Sequence, residues 1–252
     1  MCNGSIMDKL ISFSLPLMVS GILQLAFNAV DIIVVGRFSG SQALAAVGST
    51  TALINVFTNL FIGISLGANV LAARFYAAGK DREMSETVHT SITLALISGI
   101  MMAVIGVLLA KWALEIMGTP DDVIGQSALY MRIYFMGMPF FMLYNYGAAI
   151  LRAIGDTKRP LIFLIISGIA NAALNMILVI LFHMGVAGVS IATIFSQGVS
   201  AVLITRALMH SDDLYQLEFR KIRFHKSALI SLIWVGCPTG IQSVLYSVTN
   251  ML

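Results

Sequence analysis

From Leu10 to Gly36 the chain carries a single charged residue, Asp31. Comparable apolar runs return along the whole sequence, roughly at 10–36, 44–73, 88–112, 126–152, 160–182, 186–209 and 228–252. Each is near or above the ~20 residues that a helix needs to cross the hydrocarbon core of a bilayer. This repetition constrains the fold more than any motif does. Backbone in hydrocarbon must satisfy its own hydrogen bonds, so runs of this kind predict transmembrane helices. Composition agrees, with 58% of residues hydrophobic and 11% charged, against about 25% charged in soluble domains. The expected fold class is an all-α, polytopic membrane bundle. The first run is too long for a removable signal peptide and lacks a small-residue cleavage site, so it is expected to remain as a span.

Most connections are short (GRFSGSQ, YAAGKDREMSE, EIMGTPDDVIG, AIGDTKR and HMG), and only HSDDLYQLEFRKIRFHKS is longer, charged and amphipathic. Lys9, Arg74, Lys80, Arg82, Arg152, Lys158, Arg159, Arg206, Arg220, Lys221, Arg223 and Lys226 fall on one side of the bundle, and Arg37 and Lys111 on the other. Basic residues accumulate on the cytoplasmic side of membrane proteins, so the N-terminus is expected in the cytoplasm. The net charge of +3 is scattered over these connections and gives no nucleic-acid-binding surface. Cys2 and Cys237 sit at opposite ends and form no disulfide framework. His89, His183, His210 and His225 lack metal-ligand spacing. Asn3-Gly4-Ser5 matches a glycosylation sequon, which a cytoplasmic end would make a chance match.

The last run resembles the first. An offset of 222 residues pairs Ile11 with Ile233, Pro16 with Pro238, Leu23 with Leu245 and Asn28 with Asn250. Six spans separate the copies, an even number, so the repeat runs parallel about an axis along the membrane normal. Doubling the offset predicts a protein of about twelve spans in roughly 440 residues, of which this chain, ending at Leu252, would be a fragment. The expected organisation is a six-helix lobe over residues 1–210, a cytoplasmic linker over 211–227, and the first span of a second lobe over 228–252.

Polar residues inside the spans mark where function is to be sought. A charge in hydrocarbon costs about 2.5–3.5 kcal/mol on insertion scales, and Asp31 bears that cost. Gln24 and Asn28 precede it at helical spacing and share its face, and Pro16 weakens the same helix. Ser167, Asn171 and Asn175 form a polar ridge on the fifth span, Thr51, Asn55 and Asn59 one on the second, and Thr193, Gln197 and Ser200 one on the sixth. Amides and hydroxyls of this kind also serve as interhelical glue. Arg132 is either a side chain reaching the headgroups or an electrostatic partner of Asp31. Met131, Met136, Met138, Met142 and aromatics such as Tyr134 crowd the fourth span. They suit either core packing or an adaptable substrate pocket, for which Tyr134 and Met138 are the candidates.

VDIIVVGRFSGSQALAAVG (30–48), ARFYAAGKD (73–81), LYNYGAAILRAIGDTKRPL (143–161) and MGVAGVSIATIFSQ (184–197) resemble segments of multidrug and toxic compound extrusion (MATE) transporters. The likeness runs from about residue 8 onward. It implies two six-span lobes facing a cleft, and export of cationic or amphipathic organic compounds in exchange for protons or sodium ions. It also implies a cation site at Asp31, Asn171, Asn175 and Thr193, with Asp31 holding sodium where sodium is the coupling ion. Some members carry Asp where this chain has Asn175. The substrate cavity is expected at Gln24, Asn28, Asn55, Tyr134, Met138 and Gln197. The GDTK turn, with Gly155, Asp156 and Pro160, is either a simple connection or, with Pro16, a gating element. No cofactor beyond the coupling ion is expected. The expected partners are a small-molecule substrate, the bilayer of the cell membrane and a second six-span lobe.

Two rival readings are weaker. A lipid-linked oligosaccharide flippase has similar architecture, but its anionic cargo calls for a cavity rich in Arg and Lys. An intramembrane enzyme would need a second acid or a histidine near the depth of Asp31, and the spans offer neither.

Overall fold

The apolar runs are helical in the computed structural model, which describes residues 6–211, 213–218, 220 and 222–249. Cys2, the Asn3-Gly4-Ser5 sequon, Lys221, Asn250 and Leu252 lie outside the described residues, as does the side chain of Lys9. The helices are α1 (Ile6–Phe38), α2 (Gly40–Ala77), α3 (Asp81–Ile116), α4 (Asp121–Met136), α5 (Met138–Ala153), α6 (Lys158–Asn175), α7 (Gly185–Met209) and α8 (Lys226–Thr249). No strand occurs among the described residues. Six stretches are long and apolar enough to cross a membrane: α1, α2, α3, α6 with its continuation to Leu181, α7 and α8.

The remaining expected span, 126–152, is two helices. Gly137 separates α4 from α5, and Pro139 follows in the first turn of α5, where its missing N–H costs no hydrogen bond. Gly99 of α3 accommodates the break. A Cβ there would meet the Pro139 backbone and the Met138 carbonyl, so only glycine lets α3 close on it. By contrast, Pro16 leaves α1 unbroken. Its ring removes the usual donor for the carbonyl of Ser12. The Ser20 hydroxyl, one turn onward, donates to the Pro16 carbonyl at 2.8 Å. α6 passes without interruption into a π-helical turn, Met176–Leu181, immediately after Asn175.

Two clusters form the core. Phe135, Met131, Met138, Met142 and Tyr146 are fully buried where α4 and α5 meet α2 and α3. The Phe135 ring occupies the space that a side chain at Gly106 would need. The second cluster gathers Met84, Val88, Ile150, Leu151, Ile204 and Leu208. The segment after α7 closes this cluster by burying Tyr215 and Leu217 in it. That segment is tied down by its backbone. Leu217 N–H donates to the Leu208 carbonyl at 3.0 Å, Glu218 N–H to His89 Nε2 at 3.1 Å, and His225 N–H to Thr90 Oγ1 at 3.2 Å.

α8 packs along α2 through a seam of small residues. A Cβ at Gly67 would lie 2.6 Å from the Leu232 carbonyl oxygen, and one at Gly236 2.6 Å from that of Ile64. Gly63 faces Gly240 one turn away. Each helix thus supplies a pair of glycines four residues apart, and the two pairs meet in antiparallel order. Close backbone approach gains dispersion contact that lipid tails cannot match.

Candidate cation site and cavity

Asp31 lies on the wall of a cavity of about 470 Å³ lined by α1, α2, α4, α5, α6 and α7. Its carboxylate accepts a hydrogen bond from Asn175 Nδ2. The same amide group donates to Asn171 Oδ1 at 3.2 Å. Asn171 Nδ2 points to Thr193 Oγ1 at 3.5 Å, and the Thr193 hydroxyl donates to the Val189 carbonyl at 2.9 Å. Asp31 on α1, two amides on α6 and a hydroxyl on α7 therefore form one connected network. Four-residue spacing puts both amides on the same face of α6. The π-turn begins at the next residue and shifts the helix register just past the site, a placement typical of functional positions.

This network also has an unspent acceptor. Asn175 is fully buried, and its Oδ1 has no hydrogen-bond partner among the described residues. Leaving such an atom unpaired costs about 1–3 kcal/mol. The oxygens available are the Asp31 carboxylate, the two amide oxygens and the Thr193 hydroxyl, a donor set suited to a hard cation or a proton. Among the described residues no three His, Cys, Asp or Glu side chains cluster. A cation held here would rest on one carboxylate and neutral oxygens.

Most residues singled out from the sequence converge on this cavity. Gln24, Asn28, Asn55, Tyr134, Asn171, Thr193, Gln197 and Pro160 all line it, as do Thr51, Asn59, Ser167 and Ser200. The ridges of the second and sixth spans, which also read as interhelical glue, thus face the same space as Asp31. Asn175 sits behind the wall, bonded to it. Tyr130 and Tyr134 stack with ring centroids 6.1 Å apart and supply an aromatic surface.

One expectation needs correction, and one alternative is decided. Met138 is not a cavity residue; it is fully buried in the first core cluster. As the first residue after the Gly137 break it turns toward the packed side of the bundle, and helical spacing alone could not reveal that rotation. Of the two readings of Arg132, the pairing with Asp31 fails: the residue is exposed, does not line the cavity, and forms no ion pair with Asp31. The cavity's cation is instead Arg152, which in sequence falls with the charges of the connections. Its position inside the last turn of α5, before the connection begins, was the signal available. The GDTK turn is tight. Gly155 has φ +89°, a conformation that side chains disfavour. Asp156 then accepts from the Arg159 backbone N–H at 3.1 Å and from Arg159 Nε. Pro160 lies in the first turn of α6, whereas Gly155, Asp156 and Pro16 stay outside the cavity wall.

The MatE family model matches residues 16–177. The chain belongs to the MatE family. It is 33% identical over 248 residues to the probable multidrug resistance protein YoeA of Bacillus subtilis (strain 168), covering 95% of this chain and 53% of that protein. It is 27% identical over 247 residues to the probable multidrug resistance protein NorM of Thermotoga maritima, covering 96% of this chain and 53% of the relative. The chain therefore spans about half the length of the curated relatives it matches. Its fold superposes on a MATE crystal structure in the bent conformation with a TM-score of 0.91 at 23% identity, over 98% of this chain and 55% of the other. An outward-facing MATE transporter of the MOP superfamily gives 0.90 at 24% identity, over the same shares.

Proposed function

We propose that this MatE chain provides the ion-coupling lobe of a multidrug exporter that moves cationic or amphipathic organic compounds in exchange for protons or sodium ions. One observation carries the reading: a lone carboxylate on the wall of a polar cavity, hydrogen-bonded to the Asn175 amide. The names of the relatives, probable multidrug resistance proteins, support the multidrug part of the reading. The stacked Tyr130–Tyr134 pair offers a π face to an organic cation beside that acid.

In this reading the acid holds cation or cargo, not both. An ionised Asp31 attracts a cationic substrate and keeps the Asn175 donor engaged. A proton or sodium ion neutralises it, the substrate loses its counter-charge, and α1 is free to repack. Helix α1 is suited to that movement because it is the least buried of the long helices. Exchange follows because cargo and coupling ion favour different packings of the same helix. The lobe comprises residues 1–210, joined by a cytoplasmic linker over 211–227 to the first span of a second lobe, with the protein in the cell membrane and its N-terminus in the cytoplasm. The end of α7 at Met209 and the start of α8 at Lys226 support that division.

The test is Asp31→Asn in the complete protein. Dye efflux driven by an imposed proton or sodium gradient is expected to vanish while the amount of protein in the membrane stays constant. Gradient-driven efflux at the wild-type rate would overturn the proposal.

A further inference from the structure

Among the described residues the cavity wall carries one charge of each sign, Asp31 and Arg152. They lie at opposite ends. Asn175 bonds Asp31 at one end, and Pro160 lines the other, about 22 Å away along α6 by helical rise. Arg152 belongs to the Pro160 end, because the Gly155–Asp156 turn brings the close of α5 next to the start of α6.

The Arg152 guanidinium is committed only through Nε. Its Nε donates to the Ala148 carbonyl at 3.0 Å, and its two terminal nitrogens have no protein partner among the described residues. The acid nearest to it in sequence, Asp156, is held instead by the backbone and side chain of Arg159. Arg159 Nη2 in turn reaches Tyr215 Oη at 3.2 Å. Neighbouring polar groups are also spent: Tyr144 Oη donates to the Pro160 carbonyl at 3.0 Å, and Asn145 Nδ2 to the Phe141 carbonyl at 2.8 Å. The N-terminus of α6 adds to the positive field here. Its buried N-cap residue, Thr157, lines the cavity and makes no capping bond with its side chain. Leu17, Leu66 and Leu164 supply apolar wall along the cavity.

We infer that the Arg152 end of the cavity is an oxyanion subsite, which receives the carboxylate, sulfonate or phosphate group of an amphipathic substrate on the terminal nitrogens of Arg152. A planar guanidinium with both terminal nitrogens free binds such a group through two parallel hydrogen bonds, a geometry that lysine cannot reproduce. This inference deepens the transport reading above and rests on it for the word substrate. It widens the cargo from organic cations to amphiphiles that carry an acid, with any cationic group directed to the Asp31 and tyrosine end.

The experiment uses two rhodamine dyes that differ only in a free carboxylate and its methyl ester. Their binding to the purified complete protein is read by fluorescence polarisation, first in detergent and then in phosphatidylcholine vesicles with and without phosphatidylglycerol. Arg152→Gln is expected to weaken the carboxylate dye about tenfold or more, the loss of a charge-assisted pair, and to leave the ester within about twofold. Arg152→Lys is expected to fall between. The unchanged ester reports that the variant is folded. Asp31→Asn is expected to weaken both dyes alike, through the cationic ring system they share, and to keep the preference for the carboxylate dye while gradient-driven efflux stops, which separates this inference from the transport proposal. Equal losses for both dyes, or no loss for the carboxylate dye, would overturn it. So would a preference that disappears with phosphatidylglycerol, because the guanidinium would then belong to a lipid phosphate.

Discussion

Asn175 controls how the Asp31 carboxylate is held. Its Nδ2 donates both to Asp31 and to Asn171 Oδ1, and its own oxygen is buried without a partner. Asn175→Ala removes the donor from a half-buried carboxylate on the cavity wall, a loss of about 1–3 kcal/mol at the site. Gradient-driven efflux is expected to drop by about tenfold, read in vesicles at matched protein content. Asn175→Asp is expected to act differently. A second carboxylate at hydrogen-bond distance gives a cation two charges instead of one, so efflux should become more sodium-dependent, as seen by titrating sodium at fixed pH. Unaltered sodium dependence would show that the coupling cation does not touch this residue. Asp31 and its amide partners were legible in the sequence because the four-residue spacing of Asn171 and Asn175 is visible in one dimension, and an isolated acid in an apolar run stands out. Arg152 was not legible in the same way. Its proximity to a basic connection made it look like one more charge beside the membrane, and only the fold shows that its acid neighbour pairs with Arg159.

Among the elements, α2 and α8 meet most closely. Gly67 and Gly236 each face a carbonyl of the other helix at 2.6 Å from the position a Cβ would take. A side chain at either position must push the helix axes apart. Gly67→Val is expected to destabilise the protein by about 1–3 kcal/mol, the usual cost of overpacking, and to lower the thermal midpoint followed by thiol-reactive dye. Gly21→Ala is the control. Nothing lies within 4 Å of its Cβ position, and replacing glycine within a helix favours the helix by up to about 1 kcal/mol. A midpoint for Gly67→Val equal to that of Gly21→Ala would show that the seam does not support the fold. Helix existence was readable from run length and turn residues. The break in the fourth span and the identity of the α2–α8 seam were not, because both depend on which backbones approach: Gly99 against Pro139, and Gly67 against Gly236.

At the scale of the whole molecule, what the sequence supports most strongly is the distribution of basic residues between the two ends of the bundle, and what it withholds is how the helices surround a common space. Hydropathy assigns each helix to the bilayer without saying which neighbours it touches, so the convergence of three polar ridges on one cavity emerges only from packing. The side assignment can be tested independently of the cavity. Asp81, at the start of α3, and Asp121, at the start of α4, are both exposed and lie at opposite ends of the α3 hairpin. α3 is 36 residues long, about 54 Å by helical rise, so the two positions cannot share a side of the membrane. Single cysteines are placed at Asp81 and Asp121 in a background from which Cys2 and Cys237 have been replaced. A membrane-impermeant maleimide is expected to label Asp121→Cys in intact cells and Asp81→Cys only after permeabilisation. The opposite pattern would invert the protein. It would place the Arg152 end of the cavity toward the outside, and would require the ion and cargo paths through Asp31 to be exchanged.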